Sequence, residues 1–182
     1  FEDAEPEQEE KKTESKEAEK TQQNNTKPLV EKIELCAPVS GTVKALSDVP
    51  DKTFAEKVLG DGAAIIPEGG KVYAPADGTV ANIMDSKHGI MFVTDSGAEV
   101  LIHIGLDTVN LKGKYFKSYV SDGDKVKKGT LLVEFDLEAI KGEGYNLITP
   151  MVVTNISDYI KAVCMEKENT AINAGDKFLT VV

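Results

Sequence analysis

From Lys27-Pro28 onward, short apolar runs recur about every 8–12 residues, set apart by Gly, Asp, Asn and Pro. They include Lys71–Tyr73, Gly78–Val80, Ile90–Thr94, Glu99–Ile104, Leu131–Phe135, Met151–Asn155 and Lys177–Val182. Runs this short with turn signals between them predict an all-β fold, an antiparallel sandwich or barrel. Helix is confined to one or two short pieces. Asp136-Leu-Glu-Ala-Ile-Lys141-Gly142 reads as one, with Asp136 as N-cap and Gly142 just past the end. Phe54–Leu59 fits a further helical turn.

The pattern also echoes itself. Ala37-Pro38-Val39-Ser40-Gly41-Thr42-Val43 matches Ala74-Pro75-Ala76-Asp77-Gly78-Thr79-Val80 at five of seven positions. A weaker echo joins Asp122-Gly123-Asp124 … Gly129 with Asn173-Ala174-Gly175-Asp176. One repeat pair does not make a solenoid; it fits a sandwich built on a duplicated hairpin motif.

Residues 1–28 are of another kind. They hold nine Asp or Glu and five Lys, with almost nothing apolar after Phe1. Pairs such as Glu7 and Lys11 support a transient helix, but no apolar stripe exists to dock it. The segment is expected to be a flexible acidic linker, and residues 29–182 a single domain. The chain opens on Phe1 rather than Met, as a piece of a longer protein would.

Within the domain, His88 and His103 are the only histidines. Reflection through a turn at Asp95-Ser96 puts position 88 opposite position 103. Directly opposite residues of a hairpin hold their Cβ atoms roughly 4.5–5.5 Å apart. On the return strand Glu99, Leu101 and His103 share one face, and Val100, Ile102 and Ile104 share the other. The second is the expected core face, so His103 is expected to point outward beside an exposed Leu101.

Composition narrows the chemistry. A length of 182 residues supports a real hydrophobic core. The net charge of −10 argues against nucleic acid, whose phosphates need basic patches. All 21 positive residues are Lys, so a bound anion meets no guanidinium fork in cis. Cys36 and Cys164 lie far apart and fit reduced cytosolic thiols. No apolar run approaches the roughly 18 residues of a membrane span.

Four readings fit the histidine pair. The two are surface residues without a role; they ligate a metal with Asp107, although a site of Zn²⁺ type wants three or four ligands; they serve as general acid and base; or they relay a phosphoryl group. Neutral imidazole is a good nucleophile near pH 7. Spacing does not separate the last two.

The run Gly97-Ala-Glu-Val-Leu-Ile-His103-Ile-Gly-Leu-Asp-Thr-Val109 resembles the active-site signature of the glucose-type enzyme IIA domains of the bacterial phosphoenolpyruvate:sugar phosphotransferase system. The likeness extends over nearly all of residues 33–182. It takes in Phe54-Ala-Glu-Lys-Val-Leu-Gly-Asp-Gly62, Ala74-Pro75, Gly78-Thr79-Val80, His88, Asp95-Ser-Gly97, Leu111-Lys-Gly113 and Phe116. Biotinyl and lipoyl carriers share the Gly-Thr-Val turns, but their target Lys motif is missing.

The resemblance implies roles. His103 is the phosphoacceptor through Nε2, and the Gly105 carbonyl holds its Nδ1 proton. His88 donates a hydrogen bond to the phosphoryl oxygens. Ser86, where the family often has Thr, orients His88. Phe54, Val58, Leu59, Leu101 and Val109 form an apolar ring that docks partners, with Asp51 and Asp107 at its rim. No metal or other cofactor is implied. The donor is the small carrier protein HPr, whose active histidine has an Arg neighbour; this supplies in trans the cation that the chain lacks. The acceptor is a Cys of an enzyme IIB domain, fused with IIC in the same chain. That makes the domain cytoplasmic, tethered to an inner-membrane permease. The rival of another class is a regulatory module whose phosphorylation controls a transporter or other partner.

Overall fold

The computed structural model describes residues 32–182; the expected acidic linker over residues 1–28 and its boundary lie outside the described residues. The described chain forms strands β1 (Ile33–Cys36), β2 (Gly41–Ala45), β3 (Asp61–Pro67), β4 (Lys71–Tyr73), β5 (Gly78–Ile83), β6 (Gly89–Thr94) and β7 (Glu99–His103). They continue as β8 (Phe116–Ser118), β9 (Lys125–Val126), β10 (Leu131–Phe135), β11 (Thr149–Val153), β12 (Ala162–Cys164), β13 (Ala171–Ile172) and β14 (Lys177–Val181). Two short helices, α1 (Lys52–Ala55) and α2 (Leu137–Gly142), complete the regular structure apart from brief 3-10 turns. The all-β expectation holds, and the pairings are antiparallel.

Asp136 caps α2 by accepting the Ala139 N–H at 3.1 Å. Gly142 is not past the end of this helix; it is its last residue. The left-handed residue is Gly144 (φ 91°), whose N–H reaches the Lys141 carbonyl at 2.9 Å. The last turn thus closes two residues beyond the expected stop.

An eight-stranded sheet runs in the order β13-β2-β3-β11-β7-β6-β5-β9. Two three-stranded sheets, β1-β14-β12 and β4-β10-β8, pair the rest. The order hides an internal two-fold. Residues 33–43 map onto 70–80, and 116–135 onto 162–181. Leu35 opposite Leu179 matches Val72 opposite Val133, and both pairs lie beside a register shift. The two copies also bond each other reciprocally: Cys36 N–H to the Pro75 carbonyl at 2.9 Å, Tyr73 N–H to the Pro38 carbonyl at 2.8 Å. Met151 opposite Ile102, at the centre of the large sheet, lies on the axis of this symmetry.

The weaker sequence echo is therefore half right. Gly129 and Gly175 are equivalent: each has positive φ, and their N–H groups bond the Ala74 and Ala37 carbonyls at 3.0 Å each. Asp122-Gly123-Asp124, however, corresponds to Glu168-Asn169-Thr170. Asn169 (φ 67°) stands where Gly123 (φ 88°) turns the chain; Asn tolerates that conformation through its short polar side chain.

The inner faces meet in a core that includes Leu35, Ile65, Ile90, Phe92, Ile102, Leu132, Met151 and Phe178. Full burial of such side chains contributes roughly 1.5–3 kcal/mol each. The opposite face of the large sheet is covered as well. Leu46, Val49, Phe54, Ala64, Leu101, Leu106, Ile148 and Val152 form a second apolar cluster there. That cover positions the histidines.

Candidate functional site

The hairpin of β6 and β7 pairs Gly89 with His103 and Ile90 with Ile102. His88 lies opposite Ile104, whose N–H its carbonyl accepts at 2.7 Å. The expected register is one residue off. Gly97 takes φ 101° and enlarges the turn: Thr94 N–H bonds the Ala98 carbonyl at 2.9 Å, leaving three residues in the loop instead of two. The rings still meet. Their centroids are 4.8 Å apart, edge to face at 84°. His88 reaches its neighbour from the end of the Met84–Lys87 turn, where Lys87 is left-handed (φ 61°) and its N–H bonds the Met84 carbonyl at 2.7 Å.

The outward-facing pair is a second correction. Leu101 is only 6 % exposed, His103 is half-buried and His88 is 4 % exposed. The second apolar cluster encloses this face, and the Phe54 ring packs on His103 at 5.2 Å between centroids. Period-two alternation finds the faces of a strand; it does not reveal that a distant segment covers the second one.

Each imidazole is held by one nitrogen. His103 Nδ1 lies 2.7 Å from the Gly105 carbonyl. A carbonyl only accepts, so Nδ1 carries the proton and neutral His103 keeps its lone pair on Nε2. Gly105 is left-handed (φ 74°), and a Cβ there would lie 2.8 Å from Thr108 Cγ2 and 3.0 Å from the Asn146 carbonyl oxygen. Only glycine presents its carbonyl this way without strain. The other side of that peptide is fastened too: the Leu106 N–H donates to the Asn146 carbonyl at 2.8 Å. Asn146 was not foreseen from the sequence, because it acts there through its backbone, which leaves no residue signal.

Ser86 Oγ lies 2.5 Å from His88 Nδ1. With the hydroxyl donating, the neutral ring carries its proton on Nε2 and is a donor there. Burial first and His103 second push the His88 pKa down to about 4, so His88 is neutral at pH 7. Burial also lowers His103; the Gly105 carbonyl and the carboxylates of Asp51 and Asp107 oppose the shift. Both expected rim acids are thus close enough to favour positive charge on His103. Asp51 doubles as the N-cap of α1, accepting the Thr53 N–H at 3.0 Å. Asp107 is left-handed (φ 60°) at the start of a 3-10 turn.

The expected apolar ring divides. Val58 (67 % exposed), Leu59 and Val109 (51 % exposed) offer apolar surface. Phe54 and Leu101 are buried in the second apolar cluster, where the Phe54 ring packs on His103. Among the described residues, no group of three or more His, Cys, Asp or Glu is arranged to hold a metal ion.

Fold and site together define an all-β domain built around a paired-imidazole centre with one free ring nitrogen. A family model for the phosphoenolpyruvate-dependent sugar phosphotransferase system, EIIA 1, matches residues 33–159, and the chain belongs to that family. It is a phosphotransferase component of that system, a glucose-type EIIA phosphocarrier domain. It is 46 % identical over 146 residues to the glucose-specific EIIA component of Halalkalibacterium halodurans, covering 80 % of this chain and 83 % of the relative. It is 52 % identical over 123 residues to the β-glucoside-specific EIIBCA component of Bacillus subtilis, covering 68 % of this chain and 20 % of that protein. The chain thus spans about a fifth of such fused relatives. Glucose permease IIA from Mycoplasma capricolum has the same fold, with a TM-score of 0.74 and 32 % identity over 82 % of this chain and 96 % of the other. No helix among the described residues is long and apolar enough to cross a membrane.

Proposed function

We propose that His103 accepts a phosphoryl group on Nε2 from phospho-HPr and passes it to a Cys of an enzyme IIB domain, fused with IIC in the same parent chain and serving sugar uptake. The observation that carries this reading is the 2.7 Å bond from His103 Nδ1 to the Gly105 carbonyl, which leaves Nε2 unprotonated. The lone pair forms the new N–P bond as the donor's N–P bond breaks, and the departing histidine keeps that bonding pair. The His103 ring takes on positive charge while Nδ1 retains its proton. The Gly105 carbonyl, Asp51 and Asp107 all favour that charge.

His88, neutral and oriented by Ser86, donates a hydrogen bond from Nε2–H to a phosphoryl oxygen. Charge on the equatorial oxygens must be met by donors or cations. This chain has no Arg, so further positive charge comes from the donor protein. Val58, Leu59 and Val109 form the docking surface, with acidic Asp51 and Asp107 facing a basic partner. The domain works in the cytoplasm and meets the membrane only through its parent permease.

The test is labelling from phosphoenolpyruvate with enzyme I and HPr, followed by transfer to purified IIB. His103→Gln takes up no label. His88→Gln takes up label but passes it on poorly. Normal labelling of His103→Gln would overturn the assignment. Label that reaches no IIB domain would favour the regulatory rival.

A further inference from the structure

Two peptide planes meet at Gly105, and each is fastened by a group other than the imidazoles. The plane shared with Leu106 directs its carbonyl at His103 Nδ1 and its N–H at the Asn146 carbonyl. The plane shared with Ile104 directs its carbonyl at Thr108 Oγ1, which donates at 2.5 Å. Glycine has no Cβ to select φ 74° over its other wells. The direction of its carbonyl therefore depends on these anchors. The Asn146 anchor is backbone. The Thr108 anchor is a side chain, fully buried, with no hydrogen bond to either imidazole among the described residues.

The geometry of this turn makes the hydroxyl the sensitive part. Gly105 and Asp107 are both left-handed, and the chain enters its 3-10 turn at Thr108. The Ile104 carbonyl, just past the end of β7, has the Thr108 hydroxyl as its hydrogen-bond partner in this structure. Replacing the hydroxyl by a methyl leaves that carbonyl buried and unpaired, which drives the peptide to rotate in search of a partner. Rotation about Gly105 would take the second carbonyl off His103.

We propose that Thr108 is a positioning residue for phosphoryl acceptance. Its hydroxyl, by holding the Ile104 carbonyl, aims the Gly105 carbonyl that keeps His103 in the Nδ1–H tautomer. This rests on the reading of His103 as phosphoacceptor. The residue touches no phosphoryl group; it acts through two peptide planes.

The experiment compares wild type, Thr108→Ser, Thr108→Val and Thr108→Ala by ¹⁵N NMR of the neutral His103 ring above pH 7, with no donor present. Wild type and Thr108→Ser keep the Nδ1–H form. In Thr108→Val and Thr108→Ala the ratio of Nδ1–H to Nε2–H falls by roughly three- to tenfold, the worth of one hydrogen bond. Their maximal rate of phosphoryl acceptance falls in step with the fraction of rings in the Nδ1–H form, a smaller change than that in the ratio, while the KM for phospho-HPr is unchanged. Wild-type ratios in both hydroxyl-free variants, or loss of the ratio in Thr108→Ser, would overturn the proposal.

Thermal melts show whether each variant folds. Should both hydroxyl-free variants unfold, wild type and Thr108→Ser decide. A slowly exchanging hydroxyl proton at residue 108 is expected in both, and a freely exchanging one overturns the proposal. The tautomer is read without phosphate, so its outcome is separate from that of His103→Gln labelling, which tests the phosphoacceptor reading itself.

Discussion

Burying a neutral imidazole makes the stability of this domain depend on pH. His88 is 4 % exposed, and its pKa is pushed from 6.5 down to about 4, first by burial and then by His103. Between those two values the unfolded chain binds a proton at this residue and the folded chain does not. Stability is therefore complete above about pH 6.5, falls as pH drops, and levels off below about pH 4. Integrated from pH 7 to pH 5, His88 alone accounts for a loss of about 2 kcal/mol. That corresponds to roughly 4–8 °C in Tm for a domain of this size. His103, also lowered by burial, adds a loss of the same sign. His88→Gln keeps a neutral polar side chain at every pH and removes one of the two contributions. Urea unfolding at pH 7, 6 and 5 reads the difference. Wild type should lose about 2 kcal/mol more than His88→Gln over that range. Parallel curves, or a steeper loss in the variant, would refute a neutral buried His88.

Three other outcomes follow from the same geometry. Gly105→Ala meets left-handed backbone and contacts of 2.8 and 3.0 Å; it should cost roughly 2–4 kcal/mol by urea unfolding and should return His103 to mixed tautomers by ¹⁵N NMR. Ser86→Ala frees His88 Nδ1 and should slow onward transfer to IIB by roughly tenfold while labelling from HPr is retained, and Ser86→Thr should restore it. Val58→Asp and Val109→Asp, on exposed positions, should raise the KM for phospho-HPr severalfold with Tm changed by no more than about 1 °C, since substitutions at such sites rarely affect stability.

The sequence carried the strand pattern and the site more fully than the geometry between them. Leu131–Phe135 was legible to the residue, and Asp136 was legible as a cap, because both signals are local. The first repeat was visible because Ala37–Val43 and Ala74–Val80 share Ala-Pro at the entry and Gly-Thr-Val at the start of the next strand. The second, 116–135 against 162–181, shares the structure but retains one identical residue, Gly129 with Gly175. Backbone pairing sets that symmetry, and side chains need only supply alternating burial. The hairpin register slipped because the positive φ of Gly97 adds a residue to the turn. Leu101 read as surface because its cover comes from segments distant in sequence, around Leu46, Ile148 and Val152, whereas Phe54 was placed in the docking ring only through the family motif. Ser86, His88, His103 and Gly105 were named together only through the family motif, and their spacing by itself left the reaction open.

The most direct test of the central claim is the site of the phosphorus. Protein labelled at its histidines with ¹⁵N, phosphorylated from phosphoenolpyruvate through enzyme I and HPr, should show one N–P coupling, at Nε2 of His103, with Nδ1 still protonated. Coupling to His88, or to Nδ1 of His103, would contradict the account.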